Sequence, residues 1–201
     1  VMRGWDQHEG HAVALPIENI DTDQLIPARF MSTPRSEGYG RFLLHDLREG
    51  AQDFPLDRHP EASVLVARRN FGSGSSREAA VYALVDAGFR VVIAPSFGDI
   101  FAGNAVNNGL LPAALPEDMV DQMIRSLGDG AAPVRVDLEA GLIRMGGAEH
   151  RFDLDPTWGL KLRNGWDDID LTAQHSDAIA QFAERRATRF PWAWPGAKRS
   201  V

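Results

Sequence analysis

Apolar residues fall into short runs separated by glycine and proline, and the runs change character along the chain. Ser63-Val64-Leu65-Val66-Ala67 and Arg90-Val91-Val92-Ile93-Ala94 are continuous and rich in β-branched residues, the pattern of strands buried on both faces. Between them, residues 77–87 put Ala80, Leu84 and Ala87 on one stripe, which predicts a helix closed by Gly88. Residues 97–107 predict a second helix, stopped by Asn108-Gly109, and residues 110–115 a third extended segment. Strand, helix, strand, helix, strand at this spacing predicts parallel pairing through crossover helices.

Upstream, residues 11–17 predict a strand and residues 18–23 a polar loop. Residues 31–60 carry Pro34, Gly38, Gly40, Gly50, Pro55 and Pro60, too many breakers for an uninterrupted helix or strand. Structureless stretches of this length inside compact domains are usually functional or disordered. Downstream, residues 117–127 predict a helix opened by Pro116. Residues 134–138, 142–145 and 150–154 predict short antiparallel strands with glycine turns, and residues 172–188 a last amphipathic helix. The expected organisation is an N-terminal extension (1–10), a single domain (11–187) and a basic, Trp-rich tail (188–201).

Composition narrows the chemistry. With 201 residues the chain suits one generous domain, and a net charge of −7 argues against a broad nucleic-acid-binding face. No apolar run reaches the roughly 18 residues of a membrane helix, and the first residues lack the apolar core of a secretory signal. The expected compartment is the cytoplasm. There is no cysteine, which excludes a disulfide framework, a thiolate zinc site, a cysteine nucleophile and an iron–sulfur cluster held by this chain alone.

The segment Asn70-Phe71-Gly72-Ser73-Gly74-Ser75-Ser76-Arg77-Glu78 joins a buried strand to a helix. Such a loop gathers unpaired backbone N–H groups at the positive end of the helix, a ready anion site. Two nucleotide motifs fail here: Arg77 stands where a dinucleotide fingerprint needs its third glycine, and a P-loop lysine is absent. What remains is two serines, either able to cap the helix, and an arginine whose fork suits a carboxylate. A serine cap followed by an exposed arginine would explain the same residues without a ligand. Against that, a cation in the first helical turn opposes the dipole unless an anion lies between them.

Asp21-Thr22-Asp23 reads first as an Asx-type turn. Its two carboxylates lack further metal-type donors at ligand spacing, so no metal site is expected. Arg29 and Arg35 follow in the irregular stretch, which could close over an anionic substrate. The histidines at 8, 11, 45, 59, 150 and 175 form no His-Glu-x-x-His motif and read as surface or packing residues.

Three ordered blocks carry a resemblance: Asn19-Ile20-Asp21-Thr22-Asp23-Gln24-Leu25-Ile26-Pro27, the glycine–serine loop above, and Val91-Val92-Ile93-Ala94-Pro95-Ser96-Phe97-Gly98-Asp99-Ile100-Phe101. With Leu171-Thr172 and His175-Ser176-Asp177-Ala178-Ile179, they make residues 11–186 similar to the small subunits of bacterial 3-isopropylmalate dehydratase, the free-standing swivel domain of the aconitase superfamily. The resemblance implies an α/β fold, a swivelling β/β/α three-layer domain like the aconitase C-terminal domain. It also implies a large-subunit partner carrying a 4Fe–4S cluster, a small dicarboxylate substrate, and no cofactor on this chain. By resemblance Ser75 is the general base and Asp23 supports the site, while Ser76, Arg77 and Gly74 bind substrate. Arg35 matches a substrate-binding arginine, and the loop after Pro27 meets the part of the substrate that differs between family members.

Some positions depart from the family pattern. Ser73 replaces a usual cysteine, Ala79 a usual histidine, Val81-Tyr82 a usual proline–tryptophan pair, and Trp158-Gly159-Leu160-Lys161 alters an arginine-rich stretch. Three readings therefore stand: an isopropylmalate isomerase subunit, the subunit of a hydro-lyase for another malate derivative (citraconate, dimethylmalate or homoaconitate type), and a non-catalytic binding module of the same fold. A homo-oligomer of the isolated chain is compatible with each.

Overall fold

The computed structural model describes residues 3–193, in two compact units that meet in sequence at Trp166 and Asp167. In chain order the first contains β1 (Gln7–Leu15), α1 (Thr22–Leu25), three 3-10 turns within residues 28–42, α2 (His45–Glu49), α3 (Pro55–Arg58), β2 (Ala62–Ala67), α4 (Glu78–Asp86), β3 (Val91–Ala94), α5 (Asp99–Asn107), β4 (Leu111–Ala114), α6 (Glu117–Leu127), β5 (Ala131–Asp137), β6 (Leu142–Met145), β7 (Ala148–Arg151) and α7 (Pro156–Asn164). The second contains α8 (Asp168–Ala173), α9 (Ser176–Arg189) and a final 3-10 turn, Pro191–Ala193. Residues 194–201 of the expected tail lie outside the described residues.

The strands form one seven-stranded sheet in the order β4-β3-β2-β1-β5-β6-β7. β1 to β4 pair parallel, as the strand–helix alternation predicts, and β5 to β7 extend the sheet antiparallel from the other side of β1. Alternate residues of the parallel strands feed two cores. Val13, Leu15, Leu65, Ala67, Val92 and Ala94 join α4 residues Ala80 and Leu84 on one face. Ala12, Ala14, Val64, Val66, Val91 and Ile93 join Val120, Met123 and Ile124 of α6 on the other. Burial on both faces explains why these strands read as unbroken apolar runs. The result is a three-layer α/β domain.

The expected strand over residues 11–17 instead runs from Gln7 to Leu15, because its two halves have different neighbours. Residues 7–10 pair only with β5 and keep an alternating, half-solvated face, whereas 11–15 pair with β2 and residues 12–15 are buried. β7 begins earlier than expected because Gly146 and Gly147 alone make the hairpin, both at positive φ (59° and 81°). The expected last helix is two helices: Asp167 opens α8 with a capping box to Asp170, and the chain re-enters helix only after His175.

Candidate active site

The glycine–serine loop leaves β2 and lies against two other segments at the ends of the parallel strands. Asn70 enters it in the left-handed region (φ 61°), its amide N–H donating to Ser96 Oγ (2.9 Å) and its side chain to Asn19 Oδ1 (2.9 Å). Gly72 N–H then donates to Ile20 O (2.7 Å), while Thr22 N–H donates to Ser73 O (2.9 Å). On the other side Phe71 N–H donates to Ser96 O (3.0 Å) and Gly98 N–H to Phe71 O (2.9 Å). Two isolated parallel bridges, Asp21 with Ser73 and Phe71 with Phe97, thus weave the three sequence blocks together.

Two glycines permit this packing. Gly72 has φ 70°, and a Cβ there would lie 2.2 Å from the Phe101 ring. Gly74 has φ 91°, with its nearest neighbour a comfortable 3.5 Å away. Phe101 is itself buried, edge-on to Phe71 at 5.4 Å. Gly72, Ser73, Gly74 and Ser75 line an open cleft of about 200 Å³ with Gly98, Asp99, Ile100 and Phe101.

Ser75 and Ser76 precede α4 without capping it. Arg77 holds the N-cap position in extended conformation, with no side-chain cap hydrogen bond, so the expected serine cap is corrected. The first-turn amides of α4 are left without a side-chain acceptor from the cap, and the serines stay exposed. Ser75 is fixed instead through its backbone: its carbonyl accepts from the hydroxyl of Thr22 (3.0 Å), which is only 2% exposed.

Arg77 Nη1 pairs with the Asp23 carboxylate, bringing the first and second sequence blocks into one charged contact. Asp21 caps α1, its carboxylate accepting from Gln24 N–H (2.8 Å), which frees Asp23 to face Arg77. Asp23, Gly74, Ser75 and Arg77 are therefore gathered at one place by these contacts, with Ser76 between the last two. Arg35 is not part of this group. It forms a fork to Asp86 (2.6 and 2.9 Å) at the C-terminal end of α4 and stacks over Tyr82 at 4.4 Å.

The residues that linear reading missed are the positioning ones. Asp86 lies in no motif, and Thr22 reads only as the middle of the Asp21-Thr22-Asp23 turn; their partners lie 51 and 53 residues away. Tyr82 has its phenol pushed up by burial and by its hydrogen bond to Glu78. Among the described residues, one group, His45, Asp46 and Glu49, comes close enough to share a cation. Arg29 already engages Asp46 and holds its carboxyl at about 2. No helix among the described residues is long and apolar enough to cross a membrane.

Comparison with known proteins now bears on this geometry. The aconitase C-terminal domain family matches residues 2–118, and the family of C-terminal domains of 3-isopropylmalate dehydratase small subunits matches residues 168–193. Curated 3-isopropylmalate dehydratase small subunits from Shouchella clausii and Rhodospirillum centenum are 44% and 46% identical, over 90% and 92% of this chain and 95% of each relative. The chain belongs to the 3-isopropylmalate dehydratase small-subunit family. A third such small subunit, from Granulibacter bethesdensis, is 45% identical over 90% of this chain and 91% of its own. A crystal structure of a 3-isopropylmalate dehydratase from Methanocaldococcus jannaschii, 24% identical, has the same fold (TM-score 0.65, covering 87% of this chain and 98% of that one). The aconitase C-terminal-domain-like architecture expected from the sequence is thus found. Family membership spans both units, and the three interwoven blocks fall within the first family match.

Proposed function

We propose that this chain is the small subunit of a cytoplasmic 3-isopropylmalate dehydratase, serving leucine biosynthesis by interconverting 2- and 3-isopropylmalate through dehydration and rehydration. The 44–46% identity to small subunits of that name over about nine-tenths of the chain carries this reading. The contact between Arg77 and Asp23 beside the serine loop supports the assignment of residues.

Removing a proton α to a carboxylate builds a second negative charge onto that carboxylate. Ser75 is the base that takes the proton, leaving its electron pair to form the double bond as hydroxide departs. A serine alkoxide needs nearby positive charge and N–H donors, and the loop ahead of α4 with Arg77 supplies both. Arg77 and Ser76 hold the substrate carboxylate. Asp23 orients the Arg77 fork, and Gly74 lets substrate approach the backbone. A guanidinium has five donors, so the contact through Nη1 leaves others for substrate.

Loss of hydroxide calls for a Lewis acid. This chain has no cysteine and does not fit an iron–sulfur cluster. That group is assigned to the large subunit, and none of the steps given to this chain runs through it. One active site would then be completed only by assembly.

The test is to assay the purified chain alone, then co-assembled with its large subunit, on 2-isopropylmalate and a panel of other 2-substituted malates. Turnover is expected only in the assembly and fastest with isopropylmalate. Turnover by the isolated chain, or a clear preference for another malate, overturns the proposal.

A further inference from the structure

Asp86 closes α4 at the end opposite Arg77, about 13 Å along the helix. Its carboxylate is only 19% exposed and receives three hydrogen bonds, two from the Arg35 fork and one from Tyr39 N–H (2.7 Å). Arg35 also lies against two neighbouring aromatic rings, Tyr82 at 4.4 Å and Tyr39 at 5.6 Å. Tyr39 in turn donates its hydroxyl to Thr33 O (2.9 Å). Behind it Gly40 lies so close that a Cβ would meet the Asp86 carbonyl and Ala87 N at 2.7 Å.

Residues 33–40 are thus fastened to the end of α4 by a two-pronged ion pair, a backbone hydrogen bond, ring stacking and backbone contact. Upstream, the same segment runs back through residues 28–32 to α1, where Asp23 meets Arg77. The loop between Asp23 and Arg35 is consequently anchored at one end to the N-cap of α4 and at the other to its last residue. Its middle presents exposed Arg29 and Met31 with a half-buried Phe30 stacked on Phe42 at 4.3 Å.

We infer that Asp86 is a positioning residue that sets the substrate loop through Arg35, and that Arg35 serves as the anchor of this loop instead of as a ligand of the substrate. This rests on the function proposed above. The fork geometry carries the argument: the end-on face of the Arg35 guanidinium, Nη1 and Nη2 together, is directed at Asp86, and its carbon lies over the Tyr82 ring, so the pair of donors best suited to grip a carboxylate already grips one of this chain. A ligand arginine would keep its fork directed at the substrate. Here the loop instead receives a fixed conformation by direct contact with the helix end remote from the serines.

The test is a double-mutant cycle with Asp86→Asn and Arg35→Met in the assembled two-subunit enzyme, with Asp86→Glu as a conservative control. Each single variant is expected to raise KM about tenfold while kcat stays within about threefold, and the double variant to be no worse than either single one. Asp86→Glu should recover most of the loss. Were Arg35 a ligand, Arg35→Met alone would raise KM, Asp86→Asn would leave it unchanged or lower it, and the inference would fall. Hydrogen exchange on the chain supplies a reading independent of turnover: residues 33–42 should exchange faster in Asp86→Asn, with α5 and α6 unchanged. Unaltered exchange over 33–42 overturns the anchor. An inactive wild-type assembly together with faster exchange would instead defeat the proposed function and leave the anchor standing.

Discussion

Gly72→Ala tests whether the packing of the serine loop is as tight as the contacts require. The alanine would have to keep φ at 70°, a left-handed conformation costing a non-glycine residue about 1–2 kcal/mol. Its Cβ would also fall 2.2, 2.5 and 2.6 Å from Cγ, Cδ2 and Cδ1 of Phe101. That ring has little room to retreat, being buried, edge-on to Phe71 and stacked on Phe97. Overpacking of this kind costs about 1–3 kcal/mol more. Loss of glycine entropy in the unfolded chain offsets about 0.4–1 kcal/mol. The net expectation is a destabilisation of about 1–5 kcal/mol, centred near 3, a large share of the ~5–15 kcal/mol typical of a domain. Gly74→Ala is the matched control, since it imposes the backbone strain (φ 91°) without a clash and should cost about 1 kcal/mol. Urea unfolding of both variants, followed by far-ultraviolet circular dichroism, measures the difference. Adding Phe101→Leu to Gly72→Ala should recover part of the loss by making room. If Gly72→Ala unfolds with the same free energy as Gly74→Ala, the close approach to Phe101 does not govern the loop.

Ser75→Ala in the assembled enzyme is expected to lower kcat by about 10²–10⁴-fold with the affinity between subunits unchanged, and near-normal turnover would remove Ser75 from the base role. Arg77→Lys replaces a fork by a point charge and should raise KM about 10–100-fold; steady-state kinetics with unaltered KM would show that the fork does not hold the carboxylate. His8, hydrogen-bonded to Ser63 Oγ at 2.8 Å, is pushed below its ordinary 6.5 by burial and by the charge of Arg90. The unfolded chain then binds the His8 proton more readily than the folded one, so this stability contribution is full above 6.5 and declines as the pH falls below it. His8→Gln should flatten the decline in melting temperature between about pH 7 and pH 5, and identical slopes would refute the assignment.

What could be read along the chain was what local pattern encodes. The apolar runs of β2 and β3 announce burial on both faces, and Gly72 and Gly74 announce a loop needing positive φ. What escaped depends on distant partners. The polar first half of β1 becomes strand only because β5 pairs with it. The serine loop is positioned by Thr22, a buried residue whose role shows only when its hydroxyl meets Ser75 O. Arg35, expected by resemblance to bind substrate, sits in a breaker-rich stretch that gives no sign of an intramolecular partner. Its partner is Asp86, on the hydrophilic side of a helix that by itself reads as solvent-facing.

The placement of charge bears on why such a site would be divided between two chains. Arg77 and Asp23 offset one another, so before substrate arrives the cation beside Ser75 is already partly neutralised. With Asp23 open to solvent and Arg77 half-buried, the pair is still reached by water, which screens it and limits its contribution to folding. Covering the same pair with a second protein surface and a dicarboxylate removes that screening and strengthens every interaction the guanidinium makes. Exposed serines ahead of an uncapped helix end are weak chemical groups in water and become effective when enclosed. On the function proposed here, the basicity of Ser75 would be supplied largely by closure against a large subunit, and a cysteine-free chain would contribute its half of the chemistry only at the moment of docking.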